Sequence, residues 1–209
     1  MGTRTYRLNH DLGFAPNPFF GWCTLACCMP QIRKNAKEGD IIIGMAGADK
    51  RGLGRIYPQL VFWMRVDQGM SFDDYWTDPR FINKRPQIPG PKIRMVGDRT
   101  YRHEPGSEGW LFETSMHYVP GAKQTSGGHV ARDTKVNRLL VGSQFTYWGN
   151  SGPCVPAHLI SLFPNPRGDK CPPDGPLLTE LHQLIDLAQP RGVCGDPADW
   201  ENPRYFNTP

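Results

Sequence analysis

The alternation of apolar and polar residues constrains the fold of this chain more than any other feature. Residues 138–148 place four large apolar side chains on one face of an extended chain: Leu139, Val141, Phe145 and Tyr147. This two-residue period is typical of a β-strand with one buried face. Residues 60–66 show the same period, and residues 40–45 are typical of a buried strand entered from a turn. We therefore expect these three segments to be the main strands of the fold.

Short helices are predicted around these strands. Pro30 suits the first turn of a helix because its missing N–H costs nothing there, and Gly39 is placed to end that helix. Ser71 can cap a second helix over residues 72–76, and a third is predicted over residues 157–162. The clearest amphipathic helix covers residues 176–188, and further strands are predicted near residues 6–11 and 110–116. This mixture predicts an α+β fold.

The composition changes after Gly152, since 11 of the 21 prolines follow it. A chain of 209 residues is long enough for one large domain, or for one domain with a substantial extension. We expect a core over residues 1–162 and a proline-rich C-terminal extension over residues 163–209. The amphipathic helix of this extension is expected to pack on the core.

Signals for a membrane or for export are missing from the sequence. No apolar run approaches the roughly 20 residues that a membrane span needs, and residues 1–7 contain no apolar signal-peptide region. Without a signal peptide, the six cysteines are more typical of free thiols than of disulfides. The sequence therefore predicts a soluble cytoplasmic protein with no membrane partner.

Positive charge is concentrated in one segment. The formal net charge of the chain is only +4, but residues 80–102 hold seven lysines and arginines against the single acid Asp98. Such a segment is either a solvated loop or a surface that faces phosphate groups. The sequence leaves both readings open.

Known nucleotide-loop and metal motifs do not occur in this chain. Neither a Walker loop nor a dinucleotide fingerprint is present, and Cys23 and Cys27 have no second short cysteine pair to complete a zinc site. We therefore expect no metal and no cofactor. Cys23 is a candidate reactive thiol because it precedes the Pro30 helix, whose N-terminus would favour an anion. A buried, packing cysteine is the alternative.

A partner for such a thiol could come from two polar positions. His117 follows a predicted strand and is a candidate general base, and Asp133 could orient it. A structural histidine and a turn cap at Asp133 are the alternatives. Aromatic residues in the loops could stack on bases, or they could be core: the candidates are Phe14, Trp22, Tyr147 and Trp148.

Two families are similar to this chain in particular motifs. The sequence Gly39-Asp40-Ile41-Ile42-Ile43-Gly44, followed by residues 60–66, resembles the opening of PUA-like barrels such as the EVE and ASCH domains. A longer resemblance, to the second type of nucleotide-modification-associated domain, is carried by Gly13-Phe14-Ala15-Pro16-Asn17-Pro18-Phe19 and by residues 23–33. Gly97-Asp98, Ser115-Met116-His117, Asp133-Thr134 and residues 138–149 also resemble it.

The resemblance implies a PUA-like mixed or antiparallel β-barrel with flanking short helices. It also implies a role tied to modified bases, in DNA or as free nucleotides, in a bacterial or phage DNA-modification or defence system. The positions that match its motifs are candidate site residues: Asn17, Cys23, Asp98, His117 and Asp133.

Two functional hypotheses follow. In a binding module, the aromatic candidates stack on a base and Asn17, Asp98 and His117 contact its edge. The phosphate contacts of that module would be Arg33, Arg94 and Arg99. In an enzyme acting on a base or nucleotide, Cys23 is the nucleophile, His117 the general acid–base and Asp133 its orienter. A third reading is a structural or interaction protein whose aromatics are all core.

Overall fold

The structure, a computed structural model, describes residues 1–47, 58–116, 128–165, 168–187, 189–201 and 206. Its strands are β1 (Thr3–Leu8), β2 (Cys23–Leu25), β3 (Ile41–Ala46), β4 (Leu60–Arg65), β5 (Gln68–Met70), β6 (Tyr101–His103), β7 (Trp110–Phe112), β8 (Leu139–Gly142), β9 (Phe145–Tyr147), β10 (Asp169–Lys170) and β11 (Gly192–Val193). Its α-helices are α1 (Pro30–Asn35), α2 (Phe72–Thr77), α3 (Lys92–Met95), α4 (Gly128–Thr134) and α5 (Pro176–Leu184). Short 3₁₀ turns cover Pro79–Lys84, Gly149–Ser151 and Ala157–Leu162. No helix in these described ranges is long and apolar enough to cross a bilayer.

A six-stranded sheet with the order β10-β1-β3-β4-β9-β11 forms the main layer. β3 pairs in parallel with β1 and antiparallel with β4, with Ile43 opposite Trp63. Both faces of this sheet are covered, which explains why all six residues of β3 are buried. One face packs on α5 and the 157–162 turn through Ile43, Trp63 and Leu181. The other face carries the cluster that contains Ile42 and Phe62. The alternation predicted for residues 60–66 is confirmed from Phe62 onwards. At the start of the strand it fails, since Leu60 lies in the same cluster as Trp63 and Val61 lies with Phe62, beside the register shift between Gly44 and Met45.

The segment predicted as one strand over residues 138–148 is two strands in two sheets. β8 pairs with β2 and β5 in a three-stranded antiparallel sheet, and β9 joins the main sheet. The neighbouring segment of the same chain also changes sheet here, since β4 belongs to the main sheet and β5 to the three-stranded sheet. Gly142 lies against the backbone carbonyl of Arg65 at this corner, where a Cβ would collide with it. The prediction of a single strand is thus wrong, because the chain bends at this close crossing. Leu139 and Val141 lie in a different apolar cluster from Phe145 and Tyr147.

The predicted α+β class is confirmed, and the predicted barrel is not. Within the described residues, the strands form three open sheets: the main sheet, the three-stranded sheet, and a two-stranded ribbon of β6 and β7. β10 and β11 are the outer strands of the main sheet.

Two of the predicted helices are shorter than expected. α1 ends at Asn35 rather than at Glu38, and α5 ends at Leu184 rather than at residue 188, whereas α2 continues one residue further than predicted, to Thr77. The helix predicted at 157–162 is a 3₁₀ turn. The cap of α2 is confirmed, since the Asp74 N–H donates to Ser71 Oγ at 3.1 Å. The two flanking strands also differ, since β1 is Thr3–Leu8 and β7 ends at Phe112.

The C-terminal residues return to the main sheet. β10 pairs with β1, β11 pairs with β9, and Leu178 and Leu181 of α5 lie in the same apolar cluster as Trp63. Farther along, the Asp199 N–H donates to the Asp11 carbonyl at 2.9 Å. The boundary between core and extension at residue 162 stays a prediction.

Candidate functional site

Residues 71–103 pack against the N-terminal segment 17–24 and form a site with three parts. The first is a buried polar network of Asn17, Thr24, Tyr75, Lys84 and Asp98. The second is an arginine–tryptophan cluster of Trp76, Arg85, Arg99 and Arg102. The third is an aromatic tip, Phe20-Gly21-Trp22.

The buried polar network is centred on the ammonium group of Lys84, a residue with 0% exposure. Lys84 Nζ donates to Asn17 Oδ1 at 2.7 Å, to the Asn17 carbonyl at 2.9 Å and to Thr24 Oγ1 at 3.1 Å. Thr24 Oγ1 in turn donates to Asp98 Oδ2 at 2.5 Å, and Tyr75 OH donates to Asp98 Oδ1 at 2.7 Å. Removing a charge from water is costly unless its hydrogen bonds are replaced, and here all three ammonium donors have acceptors.

Burial shifts the titration of the charged groups in this network. Desolvation lowers the pKa of Lys84 to about 8, and the nearby Asp98 carboxylate opposes that shift. Desolvation also raises the pKa of Asp98, against the opposing effects of Lys84, Thr24 and Tyr75. Each group therefore depends on the other for its charged form.

Cys23 lies beside this network but is completely buried. Desolvation raises the pKa of its thiol to about 12, an effect that Lys84 reduces and Asp98 reinforces. A thiol with this pKa is protonated at neutral pH and is a poor nucleophile. The geometry therefore favours a packing role for Cys23. His117, its predicted partner, lies outside the described residues.

The arginine–tryptophan cluster gathers three guanidinium groups around one indole. The Cζ atoms of Arg102, Arg85 and Arg99 lie 4.0, 4.1 and 5.6 Å from the centroid of the Trp76 ring. β6 is fixed to α2 by Asp73, whose carboxylate accepts the His103 backbone N–H at 2.7 Å. This contact holds the neighbouring Arg102 over Trp76. Cation–π contact with one ring partly offsets the mutual repulsion of the arginines.

Arg99 is the unusual member of the cluster because it is only 1% exposed. Its Nε and Nη1 atoms are buried and have no hydrogen-bond partner among the described residues, and the same holds for Nε of Arg85. Arg102 differs, since its Nη1 pairs with Glu113 Oε1 at 2.9 Å. Burial and then the charge of Arg85 lower the pKa of Arg99. Arg85 and Arg99 thus hold buried N–H donors that receive no acceptor from the part of the chain that the structure describes.

Three pairs of consecutive residues build both the network and the cluster. In each pair the first side chain enters the network and the second enters the cluster: Tyr75-Trp76, Lys84-Arg85 and Asp98-Arg99. A backbone hydrogen bond joins two of the pairs, since the Arg99 N–H donates to the Lys84 carbonyl at 3.1 Å. Gly97 permits this approach, because a Cβ there would lie 2.6 Å from the Pro86 nitrogen. The buried polar network therefore fixes the backbone positions of Arg85 and Arg99.

The aromatic tip lies at a tight turn of the N-terminal segment. Phe20 and Gly21 have φ angles of +61° and +81°, and space around Gly21 is open. Each aromatic ring carries a cation: Arg80 Cζ lies 5.3 Å from the Trp22 ring, and Arg94 Cζ lies 5.7 Å from the Phe20 ring. Both aromatic residues are half-buried, so one part of each ring faces solvent.

Arg33 and Asp133, two other predicted site residues, lie together in a different buried contact. The Arg33 guanidinium donates to four backbone carbonyls, including those of Asp133 at 2.7 Å and Arg138 at 2.7 Å. The Asp133 carboxylate, in the last turn of α4, accepts from Tyr101 OH at 3.1 Å. These bonds tie α1 to the segment that follows α4. The geometry therefore favours a structural role for Arg33 over a phosphate contact.

The remaining aromatic candidates occupy packing positions. Phe14 is buried in the cluster that lies under α2, and Trp148 packs half-buried against the cluster between the main sheet and α5. Tyr147 is buried in β9 and donates to Asp11 Oδ1 at 2.6 Å. Among the predicted residues, the structure therefore brings together Asn17, Asp98 and Cys23, with Arg99 beside them.

Sequence reasoning missed several residues of the site: Tyr75, Trp76, Lys84 and Arg85 as members of a constellation. The charge of residues 80–102 was a usable signal for Arg85. No local signal marks Lys84 as buried, because its partner Asn17 is 67 residues away in the chain.

Comparison with protein-family models matches residues 3–204 to the family described as nucleotide modification associated domain 2. The match covers nearly the whole chain, including α5 and β11, and the chain therefore belongs to this family. No curated protein and no solved structure matches it.

Proposed function

We propose that this member of the nucleotide modification associated domain 2 family binds a nucleotide through its phosphate group, with Arg85 and Arg99 as the phosphate contacts. The observation that carries the proposal is the buried guanidinium of Arg99, whose Nε and Nη1 lack partners among the described residues. An unpaired buried donor costs free energy, and a buried charge costs more. Arg99 combines a buried charge with unpaired buried donors, and neither stabilises the fold. Binding of a ligand explains this combination better than a contribution to stability does.

Phosphate fits these donors in charge and as an acceptor of several hydrogen bonds. Charge-assisted hydrogen bonds from a guanidinium group to phosphate oxygens are strong. Phosphate would also neutralise the repulsion between Arg85 and Arg99, which share the Trp76 ring. An apolar or cationic ligand would leave all of these costs in place.

Family membership supports a nucleotide as the source of the phosphate, since the family is associated with nucleotide modification. We propose that the base carries a modification, within DNA or as a free nucleotide, in a cytoplasmic bacterial or phage DNA-modification system. Binding of this kind needs no closed PUA-like barrel, because Arg85 directly follows the 79–84 turn, Arg99 precedes β6, and α2 supplies the Trp76 ring beneath them.

The test compares nucleotide affinities of matched variants by calorimetry. The ligands are dTMP, dCMP and 5-hydroxymethyl-dCMP, each with its nucleoside as a control. We expect wild type to bind nucleotides and not nucleosides, and Arg99→Met to lose at least about tenfold in affinity, or roughly 1.4 kcal/mol. Arg191→Met is the control, since Arg191 is exposed and pairs with Asp186. Equal affinities of the two variants, or no nucleotide binding by wild type, would contradict the proposal.

A further inference from the structure

The site extends beyond one phosphate along a face on which cations and aromatic rings alternate. Trp76 contacts Arg85 and Arg102, Trp22 contacts Arg80, and Phe20 contacts Arg94. Resting on the proposed function, we propose that this face binds single-stranded nucleic acid, with phosphates at the arginines and successive bases on Trp22 and Phe20.

Hydrogen bonds and a cation–ring contact connect the aromatic tip to the arginine–tryptophan cluster. Arg94 Nη1 donates to Asn83 Oδ1 at 2.6 Å and to the Asn83 carbonyl at 3.2 Å. Asn83 lies in the Pro79–Lys84 turn, which leads directly into Arg85. Arg80, at the start of the same turn, reaches Trp22. The Pro79–Lys84 turn therefore places Arg80 beside Trp22 at one end of the face and leads into Arg85 beside Trp76 at the other.

The tip has the properties of a stacking platform. Its rings are partly exposed, and the left-handed φ angles at Phe20 and Gly21 turn the chain back sharply between them. Base–aromatic stacking tolerates any base, since every base has a π-face, whereas the bases of a duplex are already stacked on each other. Partly exposed aromatics beside cations therefore suit a single strand better than a duplex.

Charge pairing decides which cations are available to phosphates. Arg80 pairs with Asp78 at 2.7 Å and Arg102 with Glu113 at 2.9 Å, so each is already partly neutralised. Arg85, Arg94 and Arg99 have no ion pair among the described residues. With about three phosphate contacts, the slope of log K against log salt should be about −2 for a single strand.

The experiment measures fluorescence anisotropy of labelled oligo(dT) of eight nucleotides, with dTMP and an unlabelled eight-base-pair duplex as competitors. We expect the oligonucleotide to bind at least about tenfold tighter than dTMP, and the duplex to compete poorly. Trp22→Ala and Phe20→Ala should each lower the affinity for the oligonucleotide roughly tenfold. The ratio of this affinity to the affinity for dTMP should then fall toward one. Trp148→Ala, a half-buried tryptophan in another cluster, is the control and should bind like wild type.

The outcomes separate this inference from the proposed function. If nucleotides bind in an Arg99-dependent way but the oligonucleotide gains nothing over dTMP, the single-strand inference is wrong and the proposed function stands. The inference is also wrong if duplex and single strand bind equally, or if the tip variants match Trp148→Ala. If neither nucleotides nor oligonucleotide bind wild type, the proposed function itself fails.

Discussion

The backbone N–H of Arg99 donates to the carbonyl of Lys84 at 3.1 Å. This bond joins a residue whose side-chain donors are all satisfied to one whose side-chain donors are not. Lys84 points inward, where every ammonium donor is satisfied. Arg99 enters the adjoining cluster, where two guanidinium nitrogens have no partner in the described part of the chain. A fully bonded network thus holds in place an arginine whose buried donors are unsatisfied.

Arg99→Met should leave the fold as stable as wild type or stabilise it by about 1–2 kcal/mol. The substitution removes a buried charge without a bonded partner and relieves repulsion from Arg85, while it keeps most of the side-chain volume. Urea unfolding provides the measurement. A loss of more than about 2 kcal/mol would show that Arg99 is a structural residue and would remove the reason for a ligand.

Lys84→Met should behave in the opposite way, with a loss of about 3–5 kcal/mol in the free energy of unfolding. The substitution leaves the Asp98 carboxylate buried without its compensating charge, and it leaves Asn17 Oδ1 without its donor. Lys34→Met is the control, since Lys34 is exposed on α1 and should change stability by less than about 0.5 kcal/mol. Indistinguishable unfolding curves for the two variants would contradict the role of the network.

Gly97→Ala should weaken nucleotide binding and destabilise the fold by about 1–3 kcal/mol. The added methyl would collide with the backbone of residues 84–86 and push apart the segments that carry Arg85 and Arg99. Gly175→Ala, where nothing lies within 4 Å of the added Cβ, provides the matched control. The account predicts a defect in both affinity and stability for the first variant only.

Stability should fall as the pH rises above 9, in part because of Cys23. The folded pKa of this thiol is about 12 against an ordinary value of 9.0, so the folded state holds its proton where the unfolded state releases it. The contribution is complete below pH 9 and is lost at up to about 1.4 kcal/mol per pH unit between 9 and 12. Cys23→Ala should therefore flatten the decline measured by urea unfolding at pH 8, 9 and 10. Parallel curves would show that Cys23 is not buried as described.

Thiol reactivity gives an independent check on the same residue. Cys154, Cys171 and Cys194 are exposed, whereas Cys23 and Cys27 are buried. A disulfide reagent at pH 7.5 should label the three exposed thiols quickly and reach Cys23 only in denaturant, which mass spectrometry of the labelled peptides can measure. Rapid labelling of Cys23 in the native protein would restore it as a candidate nucleophile.

The central strands of the main sheet, β3 and β4, could be predicted from sequence because their burial largely follows a local pattern, whereas the outer strands β10 and β11 were not predicted. Ile42 faces one layer while Ile43 and Trp63 face the other, as the alternation requires. The bend at Gly142 could not be predicted, because it arises from contact with Arg65, a residue far away in the sequence. Local patterns therefore identified the strands but not the sheets to which they belong.

The site was only partly predictable for a related reason. The excess of positive charge in residues 80–102 predicted either a solvated loop or a phosphate-facing surface, and this segment includes Arg99. It could not show that Lys84, in the middle of that segment, is buried, since lysine is almost always exposed and its acceptors lie more than 50 residues away in sequence. Trp76 was expected only as part of a short helix, because its three arginine neighbours come from segments that are brought to it by folding.

The most direct test of the central claim is a titration of the ¹⁵N-labelled protein with dTMP, followed through the Nε–H resonances of its arginine side chains. Burial should protect the Arg85 and Arg99 protons from solvent exchange and keep them visible. The account predicts that these two resonances shift in a saturable way, that the Arg33 resonance stays in place, and that Arg99→Met abolishes the shift at Arg85. Shifts elsewhere with Arg85 and Arg99 unmoved would contradict a phosphate site at this cluster.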